Sequence, residues 1–422
     1  MGKRHFSRRS LLVAFVCTLG LILPHGIFAQ AFPAEIDLTQ LDGSDGFELS
    51  WLINGFRFGK FASNAGDLNA DGYDDLVIDG LSPNQSFIIL GSPNVGGDGV
   101  LSIDDIGRED IIELTNATRG GRLVSDAGDV NSDGYDDVVI AGEGGAYVAF
   151  GGPSFGVGGT LDLGALDGAN GFAFSSSREA VLVGDAGDLN NDGVDDLVFG
   201  APEFSSSGDD GGVAYVLFGG AGIGAGGQID ESDLDGGAGF VIRDQRSRAF
   251  FGISVDGAGD INADGIDDLL IGSSYAIEND EALGAAYVLF GAETVGSSGL
   301  VELENLSPDE GFTLFGLNDE SEFGYSVSRA GDINDDGVSD LIVGAPGRDQ
   351  AFVVFGSDQV VSDLQGGLAG LDGTNGFVMT DAAGGFIRLS VSFAGDLNAD
   401  GIDDVVVGAP SGEGGVSHLW IC

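Results

Sequence analysis

The chain holds little of what cysteine, histidine or cation-based chemistry needs. Among 422 residues there are two cysteines, three histidines, nine prolines and only 16 lysines and arginines. So few soft ligands exclude most metal–thiolate and Cys/His sites. Acids outnumber bases 68 to 16, a formal charge of −52. That balance excludes a basic footprint for nucleic acid and a polybasic patch for a membrane surface. The one long apolar run, Leu11 to Leu23, has 13 residues and falls short of the ~20 that span a bilayer. What is plentiful is glycine, 76 residues, alongside 43% apolar residues. Gly-rich, Pro-poor and moderately apolar fits neither collagen nor disorder, and points to many short strands joined by tight turns.

The N-terminus accounts for some of the rare residues. Lys3, Arg4, Arg8 and Arg9 precede the apolar run, and Ala29-Gln30-Ala31 closes it. This pattern predicts a signal peptide over residues 1–31, with an uncleaved anchor as the alternative. Ser7 to Leu12 also matches a twin-arginine export pattern. A secreted, extracellular or cell-surface location follows for residues 32–422, with the periplasm as an alternative, and no membrane span in the mature chain. That mature chain has 12 bases against 68 acids and keeps one histidine, His418, and one cysteine, Cys422. No intrachain disulfide can form in it, so something else must hold the fold.

One eleven-residue segment recurs six times. It reads AGDLNADGYDD at 65–75, AGDVNSDGYDD at 127–137, AGDLNNDGVDD at 186–196, AGDINADGIDD at 258–268, AGDINDDGVSD at 330–340 and AGDLNADGIDD at 394–404. The mean period is about 66 residues, the mark of a repeat architecture. A constant frame surrounds each copy. Upstream lies a Gly-Phe opening an alternating apolar run, as at Gly239-Phe240, Gly311-Phe312 and Gly376-Phe377; the second repeat has Asp110-Ile111-Ile112 instead. Next come a strand-like approach such as Phe251 to Val255, an apolar run such as Asp268 to Gly272, and a fourth run such as Ala286 to Gly291. All are short, rich in β-branched or aromatic residues and bounded by Gly and Asp. Four strands per repeat, arranged radially, make an all-β propeller.

The frame FG…AGD-x-N-x-DG-x-x-D-L-x-V-GAP resembles the FG-GAP repeat, the blade unit of integrin alpha-chain propellers. Phe323-Gly324, Ala330 to Asp340 and Gly344-Ala345-Pro346 form the fullest copy. Repeats one, two and four depart at GAP, and the second, third and sixth lack a clean FG. The resemblance covers essentially the whole mature chain and implies a calcium-binding module for adhesion or for cell-surface and matrix recognition.

The loop chemistry can be read independently. In D-x-N-x-D-G-x-x-D, positions 1, 3 and 5 offer short oxygen-bearing side chains, Gly at 6 permits positive φ, position 7 a carbonyl, and Asp at 9 closes the cage. All-oxygen coordination suits calcium. Position 12 is apolar in every copy, so these are not EF-hands. The expected ligands are Asp67, Asn69, Asp71, Tyr73 and Asp75 in loop one, and Asp129, Asn131, Asp133, Tyr135 and Asp137 in loop two. Loop three gives Asp188, Asn190, Asp192, Val194 and Asp196, and loop four Asp260, Asn262, Asp264, Ile266 and Asp268. Loop five gives Asp332, Asn334, Asp336, Val338 and Asp340, and loop six Asp396, Asn398, Asp400, Ile402 and Asp404. Up to six Ca²⁺ are expected. A metal-free Asx-rich turn is the alternative for a single copy; three carboxylates would repel one another without a cation. The acid at position 8 (Asp74, Asp136, Asp195, Asp267, Asp403) gives way to Ser339 in loop five, so it reads as solvated or turn-bonding.

Other patterns carry less. Gly222 to Gly227 matches G-x-G-x-x-G but no helix follows, so it reads as an inter-strand loop. His418, next to Leu419 and Trp420, reads as packed. Asn84, Asn116 and Asn305 sit in glycosylation sequons. No catalytic constellation stands out, so the chain reads as a binding module rather than an enzyme. The alternatives are a calcium-dependent enzyme or accessory domain acting on polysaccharide or phospholipid, and a structural surface-layer module. Ten of the twelve mature bases fall on connections opposite the calcium loops. Arg243, Arg246 and Arg248 are the candidates there for a protein or glycan ligand, anionic in character. Six calcium motifs predict six blades. The unpaired N-terminal outer strand is expected to complete the last blade beside Val416 to Ile421.

Overall fold

The computed structural model describes residues 12–14, 47–50, 62–79, 86–92, 100–102, 111–116, 124–142, 144–178, 182–202, 211–244, 250–278, 281–380, 390–395, 401–409 and 418–421. Within them the chain is all-β, and the repeat is the unit of folding. Five antiparallel four-stranded sheets follow one another. The first joins Ala62–Asn64, Leu76–Asp79, Ser86–Ile89 and Ile111–Thr115. The second joins Val124–Gly128, Asp137–Gly142, Gly145–Ala149 and Gly171–Ser175. The third joins Leu182–Gly187, Asp196–Ala201, Val213–Leu217 and Gly239–Arg243. The fourth joins Phe251–Gly259, Asp268–Ser273, Ala285–Leu289 and Gly311–Phe315. The fifth joins Ser326–Gly331, Asp340–Ala345, Gln350–Val354 and Gly376–Thr380. A sixth has three described strands, Ser390–Gly395, Asp404–Ala409 and His418–Ile421.

Each second strand is apolar and buried along its length in sheets two to five, as in Asp268–Ser273. Such a strand needs cover on both faces, and neighbouring sheets supply it. Between sheets four and five, Leu270, Ala286 and Val288 pack with Val327, Leu341, Val343 and Phe352. Equivalent apolar layers lie between every consecutive pair. The first strands stack in chain order, from 62–64 to 390–395. This serial stacking of like sheets is consistent with a propeller.

The repeated FG and GAP pairs have a packing reason. Gly200 of sheet three lies under the carbonyl of Gly252, so any Cβ there would collide with backbone. Gly272 of sheet four meets Gly324 in the same way. The Gly324 N–H also donates to the Gly344 carbonyl at 3.1 Å. FG and GAP therefore mark where adjacent backbones touch.

The end of the chain differs from expectation. Phe47–Ser50 pairs antiparallel with Leu12–Ala14 and parallel with Val100–Ser102, not with His418–Ile421. Leu12–Ala14, within the N-terminal apolar run, takes the edge that a third strand takes in the other sheets. Residues 36–46, the rest of the outer strand expected over Ile36 to Ser50, lie outside the described residues.

An asymmetric polar cluster joins the first strands. Arg329 of sheet five reaches Asp185 of sheet three at 3.4 Å. Its guanidinium lies 5.6 Å over the Phe393 ring of sheet six. The Arg329 N–H and the Ser328 hydroxyl both donate to Asp256 of sheet four, at 3.2 and 2.9 Å. Asp126 of sheet two accepts from Gly128 N–H and faces Asp185, Asp136 and Arg329. Burial pushes Asp126 and Asp256 up to about 6; the neighbouring acids add to the rise, while Arg329 and the hydrogen-bond donors oppose it. The native chain therefore holds protons there that the unfolded chain has already released. The contribution of these two groups to stability falls as pH rises from the ordinary carboxylate range to about 6, then levels off. Asp126→Asn keeps the acceptor for Gly128 and should remove its share of that slope. Denaturation at fixed calcium should show the variant gaining on the parent by roughly 1–2 kcal/mol across that interval; parallel profiles would refute the assignment.

Candidate metal centres

Five of the six D-x-N-x-D-G-x-x-D loops lie within the described residues, and four of them share one complete hydrogen-bond pattern. In loop four, Asp260 Oδ1 accepts from Asp264 N–H at 2.9 Å and Oδ2 from Gly265 N–H at 2.8 Å. Asn262 Oδ1 accepts from Asp264 N–H at 2.9 Å, and Asp264 Oδ1 from Ile266 N–H at 3.0 Å. Each short side chain thus folds the loop around itself, as an Asx turn does. Loops one, three and five repeat every one of these bonds. The chain reversal is made by residue 4 and Gly at 6, both at positive φ, such as Ala263 at 60° and Gly265 at 90°.

Position 9 is the keystone. Asp268 is fully buried, and its two oxygens accept from Ile261 N–H at 3.0 Å and Gly291 N–H at 2.8 Å. It ties the loop's start to the end of the third strand. Asp75, Asp137, Asp196 and Asp340 do the same. Burial, then repulsion from the acids at positions 5 and 1, pushes these carboxyls up, to about 7 for Asp75 and Asp340 and about 8 for Asp137, Asp196 and Asp268. Two backbone N–H bonds to each work the other way.

Among the described residues no three Asp, Glu, His or Cys side chains gather into a metal cage. The carboxylates are turned to the loop amides. The donor set still fits a hard cation: short oxygen ligands at positions 1, 3 and 5, with acids whose mutual repulsion a cation would reverse. Loop two adds a specific sign. Asn131 Oδ1 is buried without a hydrogen-bond partner, whereas the other described position-3 asparagines accept from position 5. A buried acceptor left unpaired is costly, and a cation at this loop would satisfy it. Of loop six, Asp396, Asn398 and Asp400 lie outside the described residues, while Ile402 is exposed and Asp404 buried.

Position 8 corrects the sequence reading. All of these acids but the exposed Asp74 are neither solvated nor bonded within their own turn. Asp136 of loop two accepts the N–H of Asp67 in loop one at 2.7 Å. Asp195 accepts from Asp129 at 3.0 Å, Asp267 from Asp188 at 3.0 Å, and Asp403 from Asp332 at 2.9 Å. Each is a latch between consecutive sheets, set on the first aspartate of the loop. The preceding glycine makes room for it: a Cβ on Gly128, at φ 63°, would run into the Asp195 carboxylate. The signal was present in the sequence as near-invariance of position 8, but nothing local could name its partner. Asp195→Ala should cost roughly 1–3 kcal/mol by stranding a half-buried N–H, and Asp195→Asn, which keeps an acceptor, should recover most of it. Equal loss in both variants on chemical denaturation would refute the latch.

Of the expected ligand-face bases, Arg243 is exposed at the end of its strand, and Arg246 and Arg248 lie outside the described residues. The same loops carry acids. Tyr275, 39% exposed, stacks on Phe250 at 5.1 Å and donates to Glu322 at 3.1 Å. Arg348 donates to the Asp319 carbonyl at 3.0 Å. The described part of this face is therefore mixed in charge rather than basic.

The FG-GAP repeat family matches residues 182–217, 251–289, 323–361 and 389–420. Loops one and two lie outside those matches, yet loop one shares all the hydrogen bonds of the rest and loop two all but the one to its position-3 asparagine. Integrin alpha-3 of Cricetulus griseus is 34% identical over 160 residues, covering 37% of this chain and 13% of the relative. Integrin alpha-5 of Xenopus laevis is 27% identical over 235 residues, 53% of this chain and 19% of the relative. A phosphatidylinositol-glycan-specific phospholipase D of Dictyostelium discoideum is 34% identical over 165 residues, 38% of this chain and 17% of the relative. The chain thus spans less than a fifth of each of these relatives. Motif, sheet pattern and relatives agree: this is an FG-GAP, integrin alpha-like protein.

Proposed function

We propose that the chain is a calcium-stabilised β-propeller of six blades that works as an extracellular or cell-surface ligand-binding module. The observation that carries this reading is the single hydrogen-bond scheme shared by the described loops, together with the unpaired Asn131 oxygen. Calcium would be held by the oxygens of positions 1, 3, 5, 7 and 9 in each loop, and would supply the charge that lets these acids stand together. Removal of residues 1–31 would free the edge of Phe47–Ser50 for His418–Ile421, completing the sixth sheet. One leftover supports that closure: Asp74 is exposed where its counterparts at position 8 are half-buried.

Calcium bound only by the native state should raise the melting point of the 32–422 chain. Affinities of the extracellular class are expected, on the order of 10⁻⁴ to 10⁻³ M per site. Chelator should lower the midpoint and Asp264→Ala should lower it in calcium; an unmoved midpoint in both would sink the calcium reading. In the same melts a chain lacking residues 32–50 should show no cooperative transition.

The recognition surface is proposed on the face opposite the loops, where Arg243, Arg246 and Arg248 join the exposed Tyr275. An anionic protein or glycan segment is its ligand. Replacing the three arginines by serine should weaken binding to a matrix-protein and glycan array at least tenfold and flatten its salt dependence. Unaltered binding would remove this face from consideration. The phospholipase D relative favours a second reading, an accessory domain of a glycolipid-acting enzyme. Hydrolysis of a phosphatidylinositol-glycan substrate by the purified chain would decide for it.

A further inference from the structure

A fifth, parallel strand joins the outer edge of a sheet wherever the next repeat supplies one. Val100–Ser102 lies beside Phe47–Ser50, Thr160–Asp162 beside Ile111–Thr115, Gln228–Asp230 beside Gly171–Ser175, and Leu300–Glu302 beside Gly239–Arg243. The register is constant. Glu113 faces Thr160, Ala173 faces Gln228 and Val241 faces Leu300. So is the connection: from the last residue of the short strand to the first position of the next Gly-Phe strand is nine residues, as from Asp162 to Gly171, Asp230 to Gly239 and Glu302 to Gly311.

Two outer strands have no such partner among the described residues. Gly311–Phe315 is covered another way. The repeat that follows it replaces the short strand with a turn of helix, Val360–Asp363, and lays Val361, Leu364 and Leu368 along Phe312 to Phe315. Gly376–Thr380 ends its sheet with no covering strand among the described residues. Its central residue, Val378, is 46% exposed, although Val241 at the same register is half-buried. An apolar residue on an open strand edge invites pairing with another chain.

We propose that Glu35-Ile36-Asp37 occupies this edge as a parallel strand, with Glu35 beside Val378, Ile36 beside Met379 and Asp37 beside Thr380. Counting back nine residues from Gly46 reaches Asp37. The intervening Leu41-Asp42-Gly43 aligns with Leu166-Asp167-Gly168 and Leu234-Asp235-Gly236, which connect the short strands to their Gly-Phe strands in repeats two and three. Parallel pairing adds main-chain bonds, in the way that a strand augments an open sheet. Cleavage after Ala31 would leave three residues ahead of the strand, enough to reach it. The mature N-terminus is then a structural staple on the fifth sheet, separate from any pairing made by Phe47–Ser50, and it stands whether or not the loops take calcium.

Cysteine pairing tests the placement directly. In the 32–422 chain with Cys422→Ser, Glu35→Cys combined with Val378→Cys should form a disulfide in most molecules under mild oxidation, read on a non-reducing gel. Glu35→Cys with Thr313→Cys, the equivalent site on the other unpartnered outer strand, should not. Absence of the first bond, or equal yield of both, overturns the proposal. Hydrogen exchange gives a second readout without added cysteines. Removing residues 32–37 should speed exchange across 376–380 at least tenfold and leave 239–243 unmoved; unaltered protection at 376–380 would equally overturn it.

Discussion

The carboxylate latch between successive loops is the interaction on which the rest depends. A chain with only two cysteines and a large negative charge has to fix the angle between sheets by other means. Here the position-8 acid of one repeat holds the backbone N–H of the first loop aspartate in the repeat before, as Asp267 holds Asp188. That one bond orients the calcium loop, requires the glycine before it and brings the apolar second strands face to face. The position-9 acid beside it is turned the other way, into its own sheet, where Asp268 spans Ile261 and Gly291. Adjacent aspartates therefore divide two tasks, one between sheets and one within.

The exception shows how the scheme is balanced. Ser339 stands where loop five should present the acid, so the N–H of Asp260 has no carboxylate from that position. The same pair of sheets carries Asp256, which accepts from both Arg329 N–H and the Ser328 hydroxyl, and Ser254, whose hydroxyl accepts from Val327 N–H at 3.0 Å. Hydrogen bonds along the first strands thus stand in for the latch at the loop. Arg329 then extends this junction to Asp185 and Phe393, so the exceptional interface is also the one tied across several sheets. Four acids and one base in a partly buried cluster cost desolvation, which is why burial pushes the Asp126, Asp185 and Asp256 carboxyls up toward the neutral form rather than letting them stabilise the fold outright.

A scaffold of this kind leaves one rim to the metal loops and the other free to vary. The loops are nearly identical because each must reproduce the same Asx turns and the same latch. The opposite connections differ in length and charge, from the arginines after Gly239–Arg243 to the Tyr275–Glu322 hydrogen bond. Variation on rigid supports is where recognition is placed in other folds, and the similarity to integrin alpha chains points the same way.

Much was legible in the sequence. The eleven-residue motif gave the repeat length, the loop chemistry and the positions of the second strands, because a turn built from Asp, Asn and Gly is decided within a few residues. The alternating runs after each Gly-Phe likewise announced outer strands. What only the tertiary structure decided were pairings across about 70 residues: the partner of each position-8 acid, the parallel strand lent by the following repeat, the meeting of FG with GAP, and the cluster around Arg329. Their physical reason is common to all four. Each joins backbone or charge from different repeats, and local spacing carries no record of which repeat lies alongside. The edge taken by Leu12–Ala14 makes the same point: a β-edge pairs with whatever strand the rest of the chain brings to it.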